Sequence, residues 1–116
     1  MRNSQIMDLS FNFSIKAIKF YKDLIGKNEY IISKQFLRSS TSIGANVYEA
    51  SAAESRKDFV HKMTIASKEA RETYYWIKLL DESQLVKSNT NDLQNDLNNI
   101  INVLTSIVKT TRENMR

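Results

Sequence analysis

The chain has no cysteine and no proline, and among its 116 residues there are only two glycines, one tryptophan and one histidine. Without cysteine there can be no disulfide framework, no thiol nucleophile and no cysteine-ligated zinc. Two isolated glycines do not make a Gly-rich phosphate loop. The lack of proline also argues against a β-rich fold, whose turns draw on Pro and Gly, and favours long uninterrupted helices. Long apolar runs are missing too. Nothing approaches the ~20 consecutive apolar residues of a membrane span, and the N-terminal residues lead into no apolar h-region of a signal peptide. A soluble cytoplasmic protein with no membrane partner is therefore expected.

What is present is 41% hydrophobic and 26% charged residues, enough for one all-α domain over residues 1–116 with a modest core. The formal net charge is +4, and it is unevenly spread. Residues 1–38 carry seven basic residues (Arg2, Lys16, Lys19, Lys22, Lys27, Lys34, Arg38) against three acidic ones (Asp8, Asp23, Glu29), while the remaining 78 carry ten of each sign. The excess marks helix 1 and the start of helix 2 as a weak footprint for an anionic partner. A solvated lysine face that serves solubility would look the same.

Apolar residues recur at helical spacing in four segments. From Ile6 to Ile25, Phe13, Ala17, Phe20, Tyr21 and Leu24 share a face, and Gly26 stands where a left-handed C-cap would stop the helix. Asn28 can cap a second helix reaching Ala52, with Ile32, Phe36, Ser40, Ile43, Val47 and Ala50 inward. Gly44 lies beside that stripe. A helix-interior glycine costs about 0.5–1 kcal/mol relative to alanine, so close approach by a neighbour is expected there, with a tolerated surface position as the alternative.

Ser55-Arg56-Lys57-Asp58 resembles a capping box and opens helix 3, with Phe59, Met63, Ala66, Ala70, Thr73, Ile77 and Leu80 inward. Ser88-Asn89-Thr90-Asn91 forms a polar break, and helix 4 follows to Glu113, burying Leu93, Leu97, Ile100, Ile101, Leu104, Ile107 and Val108. Four such helices with short connections predict an up-down-up-down antiparallel four-helix bundle.

Helix 2 carries a second, polar stripe: Arg38, Ser42, Asn46 and Glu49. If helices 2 and 3 are antiparallel about a turn near residues 53–54, Arg38 faces Glu69, Asn46 lies level with His61, and Glu49 comes within a turn of Lys62. The expectation is a structural network: an Arg38–Glu69 pair shared with Glu72, and an Asn46/Glu49 hydrogen-bond set that fixes register. A catalytic carboxylate site is disfavoured, because nothing nucleophilic or metal-like accompanies it. A ferritin-like di-iron site needs two Glu-x-x-His repeats, and His61 stands alone, about 140° from the core direction. No metal, no cofactor and no enzymatic activity are expected.

Tyr74-Tyr75-Trp76 spans about 200° of helix circumference, more than one bundle core can absorb. Ile65, Tyr75 and Trp76 are the candidate oligomer interface, scattered rim aromatics being the alternative. Aromatics can also stack bases, but the lysine excess lies on another helix.

Two adjoining segments carry a family resemblance. The first runs from Arg38-Ser39-Ser40-Thr41-Ser42-Ile43-Gly44-Ala45-Asn46 through Val47-Tyr48-Glu49-Ala50, and the second from Glu54-Ser55-Arg56-Lys57-Asp58-Phe59 through Lys68-Glu69-Ala70-Arg71-Glu72-Thr73 to Tyr74-Tyr75-Trp76. Together they resemble the four-helix-bundle proteins encoded in intervening sequences of 23S ribosomal RNA genes, whose older label as ribosomal proteins reflects gene location. The matching positions are Arg38, Ser39, Ser42, Gly44, Asn46, Glu49, Glu69 and Trp76. The resemblance implies a homopentamer. It extends to the accessory protein of diversity-generating retroelements, a basic pentameric barrel that binds nucleic acid and a reverse transcriptase.

Residues and resemblance together lead to a non-enzymatic, homo-oligomeric accessory protein associated with RNA or DNA, with Lys16, Lys19, Lys22, Lys27 and Lys34 as candidate phosphate contacts. A nucleic-acid enzyme such as a reverse transcriptase is a further candidate partner. The competing expectation is a protein-interaction scaffold that binds no nucleic acid.

Overall fold

The computed structural model describes residues 2–115, and the side chains of Arg2 and Asn3 lie outside the described set. Four helices follow one another: α1 (Arg2–Gly26), α2 (Ile32–Ala50), α3 (Arg56–Ser83) and α4 (Asn91–Asn114). Each packs on its sequence neighbours, α1 closes against α4, and among the described residues the diagonal pairs bring no Cα atoms within 8 Å of each other. This is the antiparallel up-down-up-down bundle that the four amphipathic stripes predict. It measures 48 × 22 × 21 Å, with the length set by α3, whose 28 residues span about 42 Å at 1.5 Å per residue.

The stripes supply the core. Phe13, Ala17, Leu24, Phe36, Ile43, Met63, Ala70, Ile77, Leu97 and Leu104 are buried, and Phe20 meets Phe36 edge to face at 5.3 Å, a favourable aromatic geometry. Ile6 is also fully buried, because α1 begins a turn earlier than the periodicity suggests. On α3 it is Val60 that is buried, while Phe59 packs half-buried on the rim of the core.

The α1–α2 connection departs from the sequence expectation. Gly26 is the last residue of α1, and the left-handed residue is Asn28, at φ 67°. Asn28 N–H donates to the Ile25 carbonyl at 3.0 Å and Glu29 N–H to the Leu24 carbonyl at 3.0 Å, the paired bonds of a Schellman ending. Asparagine reaches this region because its short polar side chain tolerates it. Asn28 thus closes α1 and does not cap α2. The α2 cap is Glu29, whose buried carboxylate accepts from the backbone N–H groups of Ile31 at 3.0 Å, Ile32 at 3.2 Å and Ser33 at 2.5 Å.

At the start of α3 the capping geometry is as expected: Ser55 Oγ accepts from the Asp58 N–H at 3.0 Å. Gly44 also behaves as its position predicts. A Cβ there would lie 3.2 Å from Ser14 Oγ and 3.3 Å from the Ser10 carbonyl oxygen, so the glycine lets α1 and α2 approach. Gly44→Val is expected to force these helices apart and to cost about 1–3 kcal/mol in chemical denaturation. Stability equal to the parent protein would show that the contact is not limiting.

Candidate functional site

The α2–α3 face holds the polar network. Arg38 donates to Glu69 at 3.3 Å and also pairs with Glu72. Glu72 in turn accepts from the Trp76 indole N–H at 2.9 Å. Beneath this, Thr73 and Ser39 are both fully buried, with their hydroxyl oxygens 2.9 Å apart, and Thr73 also reaches the Glu69 carbonyl at 2.8 Å. This buried hydroxyl contact joins the two helices where their small residues meet, and spacing alone did not single it out.

Of the Asn46/Glu49 set, only the Glu49 half reaches across to α3. Asn46 turns back along its own helix and donates to the Ser42 carbonyl at 2.8 Å, while Ser42 donates to the Arg38 carbonyl at 2.7 Å. Glu49 reaches across to Lys62 at 2.9 Å. The hydrogen bond to Glu49 holds the Lys62 ammonium above the ordinary lysine range. A raised lysine pKa contributes stability at neutral pH and loses it only at strongly alkaline pH. His61 is exposed, and among the described residues no group of three or more His, Cys, Asp or Glu side chains could hold a metal ion.

The structure sorts the five candidate lysines into two groups. Lys16 bridges two α4 carboxylates, Asp92 at 3.0 Å and Asp96 at 2.6 Å. The hydrogen bonds to Asp96 and then Asp92 raise its pKa. Lys27 pairs with Asp23 at 3.0 Å and donates to the Lys87 carbonyl at 2.5 Å. Both are thus engaged within the fold. Lys19, Lys22 and Lys34 are exposed and form no ion pair among the described residues. Helical spacing places Lys19 and Lys22 beside Ile15 and Ile18 on the outer side of α1, so the lysines share their face with apolar side chains.

A denser cluster of cations lies elsewhere. Between α3 and α4 runs a groove of about 560 Å³ lined by Lys68 and Arg71 from one helix and Lys109 and Arg112 from the other. All four side chains are exposed, and none forms an ion pair among the described residues. Thr64, Ser67 and Thr105 add hydroxyls, and Glu113 is the single carboxylate in the lining. Arg71 reaches across the groove toward Thr105 Oγ1, at 3.5 Å.

The fourth face is apolar. A groove of about 580 Å³ between α1 and α2 is lined by Met7, Phe11, Gly44, Ala45 and Tyr48, together with Asp8, Ser14, Thr41 and Glu49. Phe11 is 65% exposed and Tyr48 is 70% exposed, large values for aromatic side chains. Ile15 and Ile18 extend this surface along α1. Of the interface residues expected from the aromatic triplet, Tyr75 is exposed and stacks edge to face on Trp76 at 5.1 Å. Trp76 itself packs against the core of its own bundle, and Ile65 is half-buried.

No described helix is long and apolar enough to cross a membrane. None of the curated proteins matches this chain. Among solved structures, a crystal structure from Bacteroides thetaiotaomicron, of a protein with unknown function from the S23 ribosomal protein family, superimposes with a TM-score of 0.89. It is 41% identical, over 94% of this chain and 99% of that one. The family profile described as 23S rRNA-intervening sequence protein matches residues 2–106, which takes in α1, α2, α3 and most of α4, including the Arg38–Glu69–Glu72–Trp76 network. The chain belongs to the 23S rRNA-intervening sequence protein family.

Proposed function

We propose that this protein is a non-enzymatic, homo-oligomeric accessory protein that associates with nucleic acid. The observation that carries the proposal is the segregation of its surface. Uncovered apolar side chains collect on α1 and α2, around Phe11 and Tyr48, while the densest cluster of unpaired cations, Lys68, Arg71, Lys109 and Arg112, lies on the α3–α4 face. An apolar groove flanked by polar residues is the kind of surface that a second protein copy covers. Cations left without carboxylate partners suit a polyanion. The family resemblance supports both halves, since it implies a pentamer and a kinship with a basic nucleic-acid-binding barrel.

The assembly half is tested by Phe11→Glu combined with Tyr48→Glu, both on the surface of a single bundle. Light scattering is expected to show a multiple of the chain mass for the parent protein and one chain mass for the double variant. A parent protein that is already monomeric, or a variant that keeps the full mass, contradicts assembly through this groove.

A second reading has its own observation. The α1–α2 groove lies between two helices and presents Met7, Phe11, Ala45 and Tyr48 alongside the polar Asp8, Ser14, Thr41 and Glu49, which also suits an amphipathic helix from a different protein. On that scaffold reading the groove binds a foreign helix and nucleic acid does not bind at all.

A further inference from the structure

The geometry points to the groove between α3 and α4 as the site where the phosphate backbone of a nucleic acid lies. This inference rests on the nucleic-acid half of the reading above and moves its location away from the helix-1 lysines.

Antiparallel packing sets the groove out in levels. Arg71 stands level with Thr105, toward which it reaches, so Lys68 comes level with Lys109 one turn on, and Arg112 stands a further turn along. Successive levels are about 5 Å apart at 1.5 Å per residue. Cations on three successive levels form a row and do not converge on one point. A lone anion would satisfy one level and leave the others repelling each other, whereas a chain of phosphates meets every level. The two guanidinium groups offer forked donors suited to phosphate oxygens, and the Ser67 and Thr105 hydroxyls at the groove wall add neutral donors of the kind common at nucleic-acid backbones.

Two further observations favour this groove over helix 1. The cations there form no ion pair among the described residues, and carboxylates of the same two helices are engaged on other faces: Asp92 and Asp96 hold Lys16, and Glu69 and Glu72 hold Arg38. The outer side of α1, by contrast, carries the exposed side chains of Phe11, Ile15 and Ile18. A second copy seated on that surface would cover the lysines next to it. The groove lining contains no large exposed aromatic, so it reads charge and spacing and not base identity, and both RNA and DNA satisfy it.

The test uses the full chain and fluorescence anisotropy with a labelled DNA duplex and a labelled RNA hairpin. With four phosphate contacts, affinity for the duplex is expected to fall about 150-fold between 50 and 200 mM salt. Lys68→Gln with Lys109→Gln removes two exposed cations, and the same salt change is then expected to cost only about 12-fold. Arg112→Gln alone is expected to flatten the salt dependence by a smaller step. Lys19→Gln with Lys22→Gln is expected to bind as the parent protein does, and circular dichroism melts confirm that each variant is folded.

If the Lys19/Lys22 variant shows the loss and the groove variants do not, the groove assignment is wrong while nucleic-acid binding stands. If neither nucleic acid binds at low salt, the functional reading itself fails. Polyglutamate that competes as well as the duplex at equal charge would show that the groove takes acidic chains in general, and would overturn the assignment to phosphate.

Discussion

Phe36→Ala is expected to remove about 3–5 kcal/mol of stability, the usual cost of emptying a core phenylalanine site. Phe36 is fully buried in α2 and meets Phe20 of α1 edge to face at 5.3 Å. Deleting the ring takes away the transfer free energy of its carbon atoms, leaves a cavity between two long helices that cannot easily collapse, and strips Phe20 of its aromatic partner. A domain of this length has roughly 6–17 kcal/mol in all, so one substitution consumes from about a fifth to most of it. The melting temperature should fall by about 10–20 °C, measured at fixed protein concentration because self-association would otherwise shift it. Phe36→Leu, which keeps most of the volume, should fall much less. A Phe36→Ala protein melting within about 3 °C of the parent would mean that the ring is not at the centre of the core.

The second large effect is local. Glu29→Ala is expected to cost about 1–3 kcal/mol, the penalty for stranding buried hydrogen-bonding groups. The Glu29 carboxylate accepts from three successive backbone N–H groups at the start of α2. No other side chain caps that helix end, and Ser33 N–H is buried. The negative charge also faces the positive end of the α2 dipole. Glu29→Gln keeps one acceptor oxygen but sets an amide N–H against the backbone donors, so it should fall between the alanine variant and the parent. Native-state hydrogen exchange should show the loss at Ile31, Ile32 and Ser33 first. Unchanged protection at these three amides in the alanine variant would place the α2 cap on another residue.

That cap also shows where sequence reasoning reached its limit. Ser55 and Asp58 were legible because a capping box is a local pattern at fixed spacing, and the structure forms its hydrogen bond. Asn28 has the right chemistry for an N-cap, yet α1 ends by passing through a left-handed residue, and which of Gly26 and Asn28 takes that role depends on where the chain must turn to bring α2 alongside. Glutamate is a poor N-cap by composition. It works here because its longer side chain folds back from outside the helix to reach three amides.

The Arg38–Glu69–Glu72 network was legible for a different reason. Once two neighbouring helices are taken as antiparallel, register arithmetic brings these residues to one level. The same arithmetic brought Glu49 within a turn of Lys62 but was too coarse for Asn46, because it fixes levels and not side-chain choices. Asn46 found an acceptor one turn back on its own helix, and Glu49 found the long side chain of Lys62.

The basic groove was hidden for a reason that bears on function. Counted along the sequence, charge is balanced after residue 38. In the folded bundle the balance is broken in space, since carboxylates on α3 and α4 turn toward cations on α2 and α1. Lys68, Arg71, Lys109 and Arg112 are among the cations left without a carboxylate partner, and the fold gathers them in one groove. The helix-1 excess looked like the footprint because Lys16 and Lys27 count fully in a sum, although both are held by carboxylates in the structure.

The central claim is that copies of this chain assemble and that the assembly associates with nucleic acid. Its most direct test is molar mass by light scattering, first on the protein alone and then with a structured RNA at low and at high salt. The expected result is a particle several times the 13.5 kDa chain mass that gains mass with RNA at low salt and releases it at high salt. A 13.5 kDa particle whose mass is unmoved by RNA at either salt would contradict it.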